Sequence, residues 1–274
     1  MTINCKGKLI DLTTPKVMGI LNLTPDSFYD GGKYSNENDI ILQTAKMLEE
    51  GATFIDVGAY SSRPGAKHIS EEEELQRIAP IVKLLVLKFP EIMLSIDTFR
   101  SEVAKKCIEL GAAIINDISA GEMDVTMMKT VGELKVPYIM MHMKGTPQNM
   151  QKNPVYKNVT EEVLYYFSEK IALARSYAIN DLIIDPGFGF GKTQEHNFKI
   201  LSELELFKNI ELPLLIGLSR KSMIYKTLQT NAKEALNGTT SLNTISLLKG
   251  ANILRVHDVK EAIECIKLTN NLPS

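Results

Sequence analysis

Residues 185–193 read Asp-Pro-Gly-Phe-Gly-Phe-Gly-Lys-Thr and end as a nucleotide-binding P-loop ends. A P-loop needs a glycine, four residues and then Gly-Lys-Ser/Thr, so that backbone N–H groups wrap the phosphates. Counting back from Gly191, the required glycine falls on Pro186, which has no N–H. The stretch also misses the dinucleotide pattern G-x-G-x-x-G. The reading that remains puts Asp185 at the polar end of a buried run, a Pro/Gly turn after it, and Lys192 and Thr193 at the start of a helix. Comparable polar residues end other apolar runs: Asn22, Asp56, Asp97, Asn116 with Asp117, His142, Ser219, Arg255 and His257.

These residues divide by charge into two chemistries. Asp97, Asn116 and Asp185 combine carboxylates with an amide, which suits a neutral heterocycle rich in N–H donors, such as an aminopyrimidinone. A Mg²⁺ cluster is the alternative, and ring recognition is favoured because no phosphate-binding pattern lies at that depth. The second group is cationic: Arg63, Arg220, Lys221, Arg255 and His257. It points to an anionic substrate group such as phosphate or pyrophosphate. Ser219-Arg220-Lys221-Ser222 also opens a helix whose N–H groups suit a second anion, for example a carboxylate. Taken singly, Asn116 reads equally well as a cap, His142 as a core histidine and Arg220 as a surface charge.

The elements that must position these groups are short apolar runs: 17–23, 54–58, 93–98, 114–119, 138–143, 182–185, 214–219 and 253–258. Their continuous apolar character predicts strands buried on both faces. Helical periodicity fills most intervals, with helices expected over 40–50, from 71 to 87, and over 160–177 and 241–248. Ser70-Glu71-Glu72-Glu73 reads as a capping box, and the acidic run 71–74 as a solvated helix start. Strand alternating with helix implies a parallel sheet. Eight units in 274 residues imply an α/β fold, a (β/α)₈ TIM barrel forming a single domain over 1–274. The segment 2–11 is expected to be a short N-terminal hairpin covering the barrel bottom. Polar strand ends then gather at one face, where barrels build active sites. The connections 22–32 and 61–66 mix Pro and Gly with polar residues, as lids over such a face do.

Composition narrows the function classes. The net charge of -2 gives no whole-molecule field for nucleic acid or membrane. No apolar run reaches the ~20 residues of a membrane span, and the first residues lack the apolar core of a secretion signal. Cys5, Cys107 and Cys265 are odd in number and far apart, which predicts buried, reduced thiols in a cytoplasmic protein.

The chain resembles the dihydropteroate synthases of the pterin-binding barrels. The matching segments are NLTPDSFYDGG at 22–32, SRPGA at 62–66, SIDTFR at 95–100, INDIS at 115–119, MHMKGTPQNMQ at 141–151, DPGFGFGKT at 185–193, LSRKS at 218–222 and RVHDV at 255–259. They run in order over nearly the whole chain, and together they are highly specific. The resemblance implies condensation of 6-hydroxymethyl-7,8-dihydropterin pyrophosphate with 4-aminobenzoate to give 7,8-dihydropteroate and pyrophosphate. It implies that Asp97, Asn116, Asp185 and Lys221 bind the pterin. It sets Asn22, Arg63, Arg255 and His257 near pyrophosphate, with Asn22 a ligand of Mg²⁺. Phe28, Ser62, Pro64, Phe190, Lys221 and Ser222 are implied to shape the aminobenzoate pocket, and Asp97, Asp185, Lys221, Arg255 and His257 to carry catalysis. A homodimer and a sulfonamide target are implied as well.

One departure stands out. Where the family usually has Gly-Glu-Ser-Thr-Arg-Pro-Gly, this chain has Ala59-Tyr60-Ser61-Ser62-Arg63-Pro64-Gly65. Tyr60 replaces an acid, and Ser62 keeps a hydroxyl without the threonine methyl. Two rivals are a pterin-dependent methyltransferase of the same barrel type, which leaves the cationic motifs unexplained, and a non-catalytic pterin-binding protein, which predicts a degraded cation set.

Overall fold

The computed structural model describes residues 1–23, 37–61 and 68–272. Phe28, Ser62, Arg63 and Pro64, and most of the expected lids, lie outside the described residues. The chain opens with a hairpin of β1 (Thr2–Cys5) and β2 (Lys8–Asp11), paired antiparallel. Strand and helix then alternate: β3 (Lys16–Asn22), α1 (Glu37–Glu49), β4 (Phe54–Gly58), α2 (Glu71–Lys88), β5 (Leu94–Asp97), α3 (Ser101–Glu109), β6 (Ile114–Asp117) and α4 (Met127–Leu134). There follow β7 (Tyr138–Met141), α5 (Val159–Ser176), β8 (Leu182–Asp185), α6 (Gln194–Ser202), a 3₁₀ turn (Leu204–Ile210), β9 (Leu215–Ile216), α7 (Ser222–Thr227), α8 (Leu236–Leu248), β10 (Ile253–Val256) and α9 (Val259–Thr269).

β3 to β10 form one eight-stranded parallel sheet with order β8-β7-β6-β5-β4-β3-β10-β9. A parallel bridge between Ile184 and Leu214 joins the outermost strands and closes the barrel. Several strands stop short of their apolar runs, so Thr98, Ser119, His142, Ser219 and His257 stand just beyond the sheet.

Side-chain alternation separates two kinds of burial. Ile55 and Val57 of β4, Ile96 of β5, Ile115 of β6 and Ile184 of β8 point outward into the layer beneath the helices. Met18, Phe54, Ile114, Ile139, Ile183, Leu215 and Ile253 point inward at the lower end. Ile3, Cys5, Ile10 and Leu12 of the hairpin join that cluster, so the hairpin covers the barrel bottom as expected. Above it the inward positions turn polar: Asp56 and Ser95 pair in register on adjacent strands, as do Asp97 and Asn116. The same alternation splits the expected Asn116–Asp117 pair. Asp117 faces outward, where Tyr138, Ser119 and Gly121 donate to its carboxylate at 2.7–2.8 Å. Its role is to fix the turn after β6.

The acidic helix start also differs from expectation. Ser70 Oγ accepts from the Glu73 N–H at 3.1 Å, as a cap should, but the Glu73 carboxylate pairs with Arg77 rather than completing the capping box. Glu74 is fully buried. Its carboxylate takes hydrogen bonds from Thr98 at 2.7 Å and Arg100 at 2.5 Å, tying α2 to the exit of β5. The cysteines are buried and free, and burial pushes the Cys5 and Cys107 thiols up to about 12. No described helix is long and apolar enough to cross a membrane.

Candidate active site

The centre of the barrel mouth is Arg255, which points inward from β10. Its Nε donates to Asp56 Oδ2 at 2.6 Å and a terminal nitrogen to Asp97 Oδ2 at 2.7 Å. Asn116 Nδ2 donates to the same Asp56 oxygen at 3.0 Å. Four strand ends are thus tied into one network. Burial works against the Arg255 charge, but Asp56 and Asp97 more than offset this and hold the guanidinium protonated. Burial lifts the Asp97 carboxyl to about 7, opposed by Arg255 and assisted by Asp56.

Asp56 stood among the polar strand ends in the sequence but carried no assigned role. Its consecutive position to outward Ile55 and its register with Ser95 mark it as inward. Among the described residues, nothing donates to Asp56 Oδ1 or engages Ser95 Oγ, although both are buried. Buried acceptors are rarely left unpaired.

Asp185 and Lys221 form the second part of the site. Asp185 ends β8 inside the barrel, and its Oδ1 accepts the Gly187 N–H at 2.7 Å. Gly217, just past β9, leaves the space between them open: a Cβ there would stand 3.9 Å from both Asp185 Oδ2 and Lys221 Nζ. Burial raises the Asp185 pKa, with Lys221 opposing. Burial also lowers the Lys221 ammonium to about 8, against the pull of Asp185. Lys221 Nζ donates to the Phe188 carbonyl and lies 4.7 Å from the centre of the Phe190 ring. The expected neighbours Asp185, Phe190 and Lys221 therefore meet.

Other expectations fare differently. Ser222 begins α7 beside Lys221, and Asn22 ends β3 half-buried. His257 is exposed, with Nδ1 2.9 Å from Ser219 Oγ. Arg220 does not join the cation cluster. Its guanidinium is clamped by both Asp258 oxygens at 2.8 Å and by the carbonyls of Ala232 and Lys233, so it braces the loop behind α7. Thr193 caps α6 as expected, forming a capping box with His196. Lys192 turns back instead, into the buried space under residues 187–190. Tyr60, which stands where an acid was expected, is buried. Its hydroxyl accepts from Gln148 Nε2 at 2.9 Å and lies 3.2 Å from His68 Nδ1, while its ring edges onto Phe99. It links the end of β4 to the connection after β7.

Comparison with known proteins agrees with this geometry. Residues 18–257 match the family described as pterin binding enzymes. The chain is 43% identical to the dihydropteroate synthase of Escherichia coli (strain K12), over 98% of this chain and 95% of that one. The Yersinia pestis dihydropteroate synthase, solved with a sulfonamide drug complex, superposes with a TM-score of 0.93 at 39% identity, covering 98% of each chain. The Xanthomonas albilineans dihydropteroate synthase with 4-aminobenzoic acid superposes with a TM-score of 0.92 at 35% identity, covering 99% of each.

Proposed function

The chain belongs to the family of pterin binding enzymes, and from that premise we propose how its residues perform the dihydropteroate synthase reaction. The substrates are 6-hydroxymethyl-7,8-dihydropterin pyrophosphate and 4-aminobenzoate, and the products are 7,8-dihydropteroate and pyrophosphate. The observation that carries the proposal is the network of half-buried Arg255 and Asp97 with buried Asp56 and Asn116, beside Asp185 and Lys221. It offers carboxylate and amide oxygens for the N–H edge of an aminopyrimidinone.

In this account the pterin lies over Asp97, Asn116, Asp185 and Lys221. Asn22, Arg63, Arg255 and His257 face the pyrophosphate. The bond between the pterin methylene carbon and the pyrophosphate oxygen breaks, and the electron pair leaves with oxygen. Asp56, Asp97 and Asp185 bring carboxyl oxygens to the mouth, and their ionised forms favour the methylene cation that remains. The aminobenzoate nitrogen then bonds to that carbon and loses a proton. Phe28, Ser62, Pro64, Phe190, Lys221 and Ser222 form its pocket. No protein nucleophile is needed, and the buried thiols lie away from the mouth.

Mg²⁺ would be held through the Asn22 amide oxygen at the half-buried end of β3. Mg²⁺ commonly binds through few protein oxygens together with substrate phosphates. When bound, it would neutralise charge on the departing pyrophosphate. A cytoplasmic homodimer inhibited by sulfonamides completes the proposal; the Yersinia pestis relative was solved with such a drug.

The test is pyrophosphate release from purified protein given dihydropterin pyrophosphate, 4-aminobenzoate and Mg²⁺. Release coupled to dihydropteroate formation, and dependent on both organic substrates, is expected. No release would refute the synthase reading. A methyltransferase or a non-catalytic binder would give none.

A further inference from the structure

Lys192, whose motif resembled a P-loop ending, has no part in the roles above, yet it is 2% exposed. Its Nζ lies 2.8 Å from His142 Nδ1 and 3.0 Å from the carbonyls of Gly187 and of Phe190, with the His142 carbonyl at 3.3 Å. None of these hydrogen-bond partners is a carboxylate. We propose that Lys192 is a positioning residue: it holds the turn 187–190 so that Phe190 and the Phe188 carbonyl meet Lys221 on the side of the second substrate. The proposal rests on the synthase reading for the identity of that substrate.

The convergence of acceptors follows from the backbone. Gly187, Gly189 and Gly191 take φ of 70°, 82° and 61°. A Cβ at Gly187 would lie 2.0 Å from the His142 carbonyl oxygen, and one at Gly191 would lie 2.5 Å from that of Lys144. The turn is therefore laid directly on the chain leaving β7, and its carbonyls face each other across a space closed to water. The Lys192 side chain brings N–H donors to that space, where burial holds its pKa well below the usual lysine range; a P-loop lysine would instead present them to phosphate. Burial and then Lys192 hold the His142 pKa down to about 2, so the ring is neutral and its Nδ1 pairs with the Lys192 nitrogen. Tyr166 edges onto that ring with centroids 4.8 Å apart, fixing its plane.

The opposite face of the turn belongs to the site. Phe188 gives its carbonyl, and Phe190 its ring, to Lys221. Gln151 and Asn197 tether Gly189 between them, while Lys192 tethers the residues on either side. The Asp185 backbone is held by β8 itself, and only its side-chain bond to the Gly187 N–H depends on the turn. Loosening Lys192 should therefore disturb the second pocket more than the pterin pocket.

The experiment compares wild type with Lys192→Met, which keeps the volume and removes the donors, and Lys192→Gln, which restores some of them. In Lys192→Met the KM for 4-aminobenzoate should rise about tenfold or more while that for dihydropterin pyrophosphate stays within about twofold. Lys192→Gln should recover part of the loss. Should Lys192→Met fail to fold, the same split measured in Lys192→Gln decides. Unchanged constants in the folded fraction, or an equal rise in both KM values, would overturn the proposal. Hydrogen exchange of the peptide over 186–191 is read in parallel. It should quicken in the variant, and unchanged exchange also counts against the tether. If wild type itself releases no pyrophosphate, the synthase reading fails, while the exchange result still decides whether Lys192 holds the turn.

Discussion

At the scale of single residues, two half-buried groups set the pH range of the free enzyme. Burial brings Asp97 from 3.8 up to about 7, against the pull of Arg255, and brings Lys221 from 10.5 down to about 8, against the pull of Asp185. Pterin binding uses the Asp97 carboxylate and the Lys221 ammonium. The profile of kcat/KM for dihydropterin pyrophosphate should therefore rise as pH passes about 7 and fall as it passes about 8, a narrow bell reporting free-enzyme groups. Lys221→Arg should remove the falling limb, since a guanidinium keeps its proton. A wild-type profile flat from about 6 to about 9 would contradict these assignments. Stability moves in the opposite direction to activity. A carboxyl raised in the folded state contributes stability below its unfolded value and loses it as pH rises through about 7. Asp97→Asn should abolish that loss in thermal melts of the unliganded protein. At this scale the sequence was informative about residue types and less so about partners. Asp56 and Arg220 were both visible, but only the folded chain shows Asp56 under Arg255 and Arg220 spent on Asp258.

At the scale of elements, the helices and strands are joined by polar ties that periodicity does not reveal. The Glu74–Arg100 pair is the strongest case. Its members lie 26 residues apart, one in α2 and one after β5, at 2.5 Å. Arg100 also donates to the Ile69 carbonyl at 2.7 Å and lies over the rings of Tyr60 and Phe99. Burial raises the Glu74 pKa, and Thr98 and Arg100 work against that rise. Removing one partner of such a pair strands a buried charge, so Arg100→Ala should lower stability by about 3–5 kcal/mol. Denaturant unfolding checks this, and a loss below about 1 kcal/mol would show that the pair is not the tie proposed here. In the sequence, Glu74 looked like one more solvated acid at a helix start because its partner is remote. The strands at 54–58 and 182–185 were legible from apolar runs, and the hairpin formed within the expected segment 2–11. α8 begins at Leu236, ahead of the expected 241, because Asn237, Gly238 and two threonines hide its start.

At the scale of the whole molecule, the barrel separates the work of folding from that of catalysis. The hairpin and the inward apolar layer close the lower end, and the ionic network occupies the upper end. This division was legible in advance because eight apolar runs each carried their polar residues near one end. The direction of each side chain followed only once register was fixed, as Asn116 and Asp117 show. The division also makes a variant at the upper end a clean probe of function. Asp185→Asn keeps the shape of the side chain and an oxygen for the Gly187 N–H, but removes the charge that faces Lys221 and the pterin. The most direct measurement is pyrophosphate release by purified Asp185→Asn, with its melting temperature and circular dichroism recorded on the same sample. Turnover lowered by about 10²–10⁴ with a wild-type fold is expected. Near-normal release from the folded variant would contradict it.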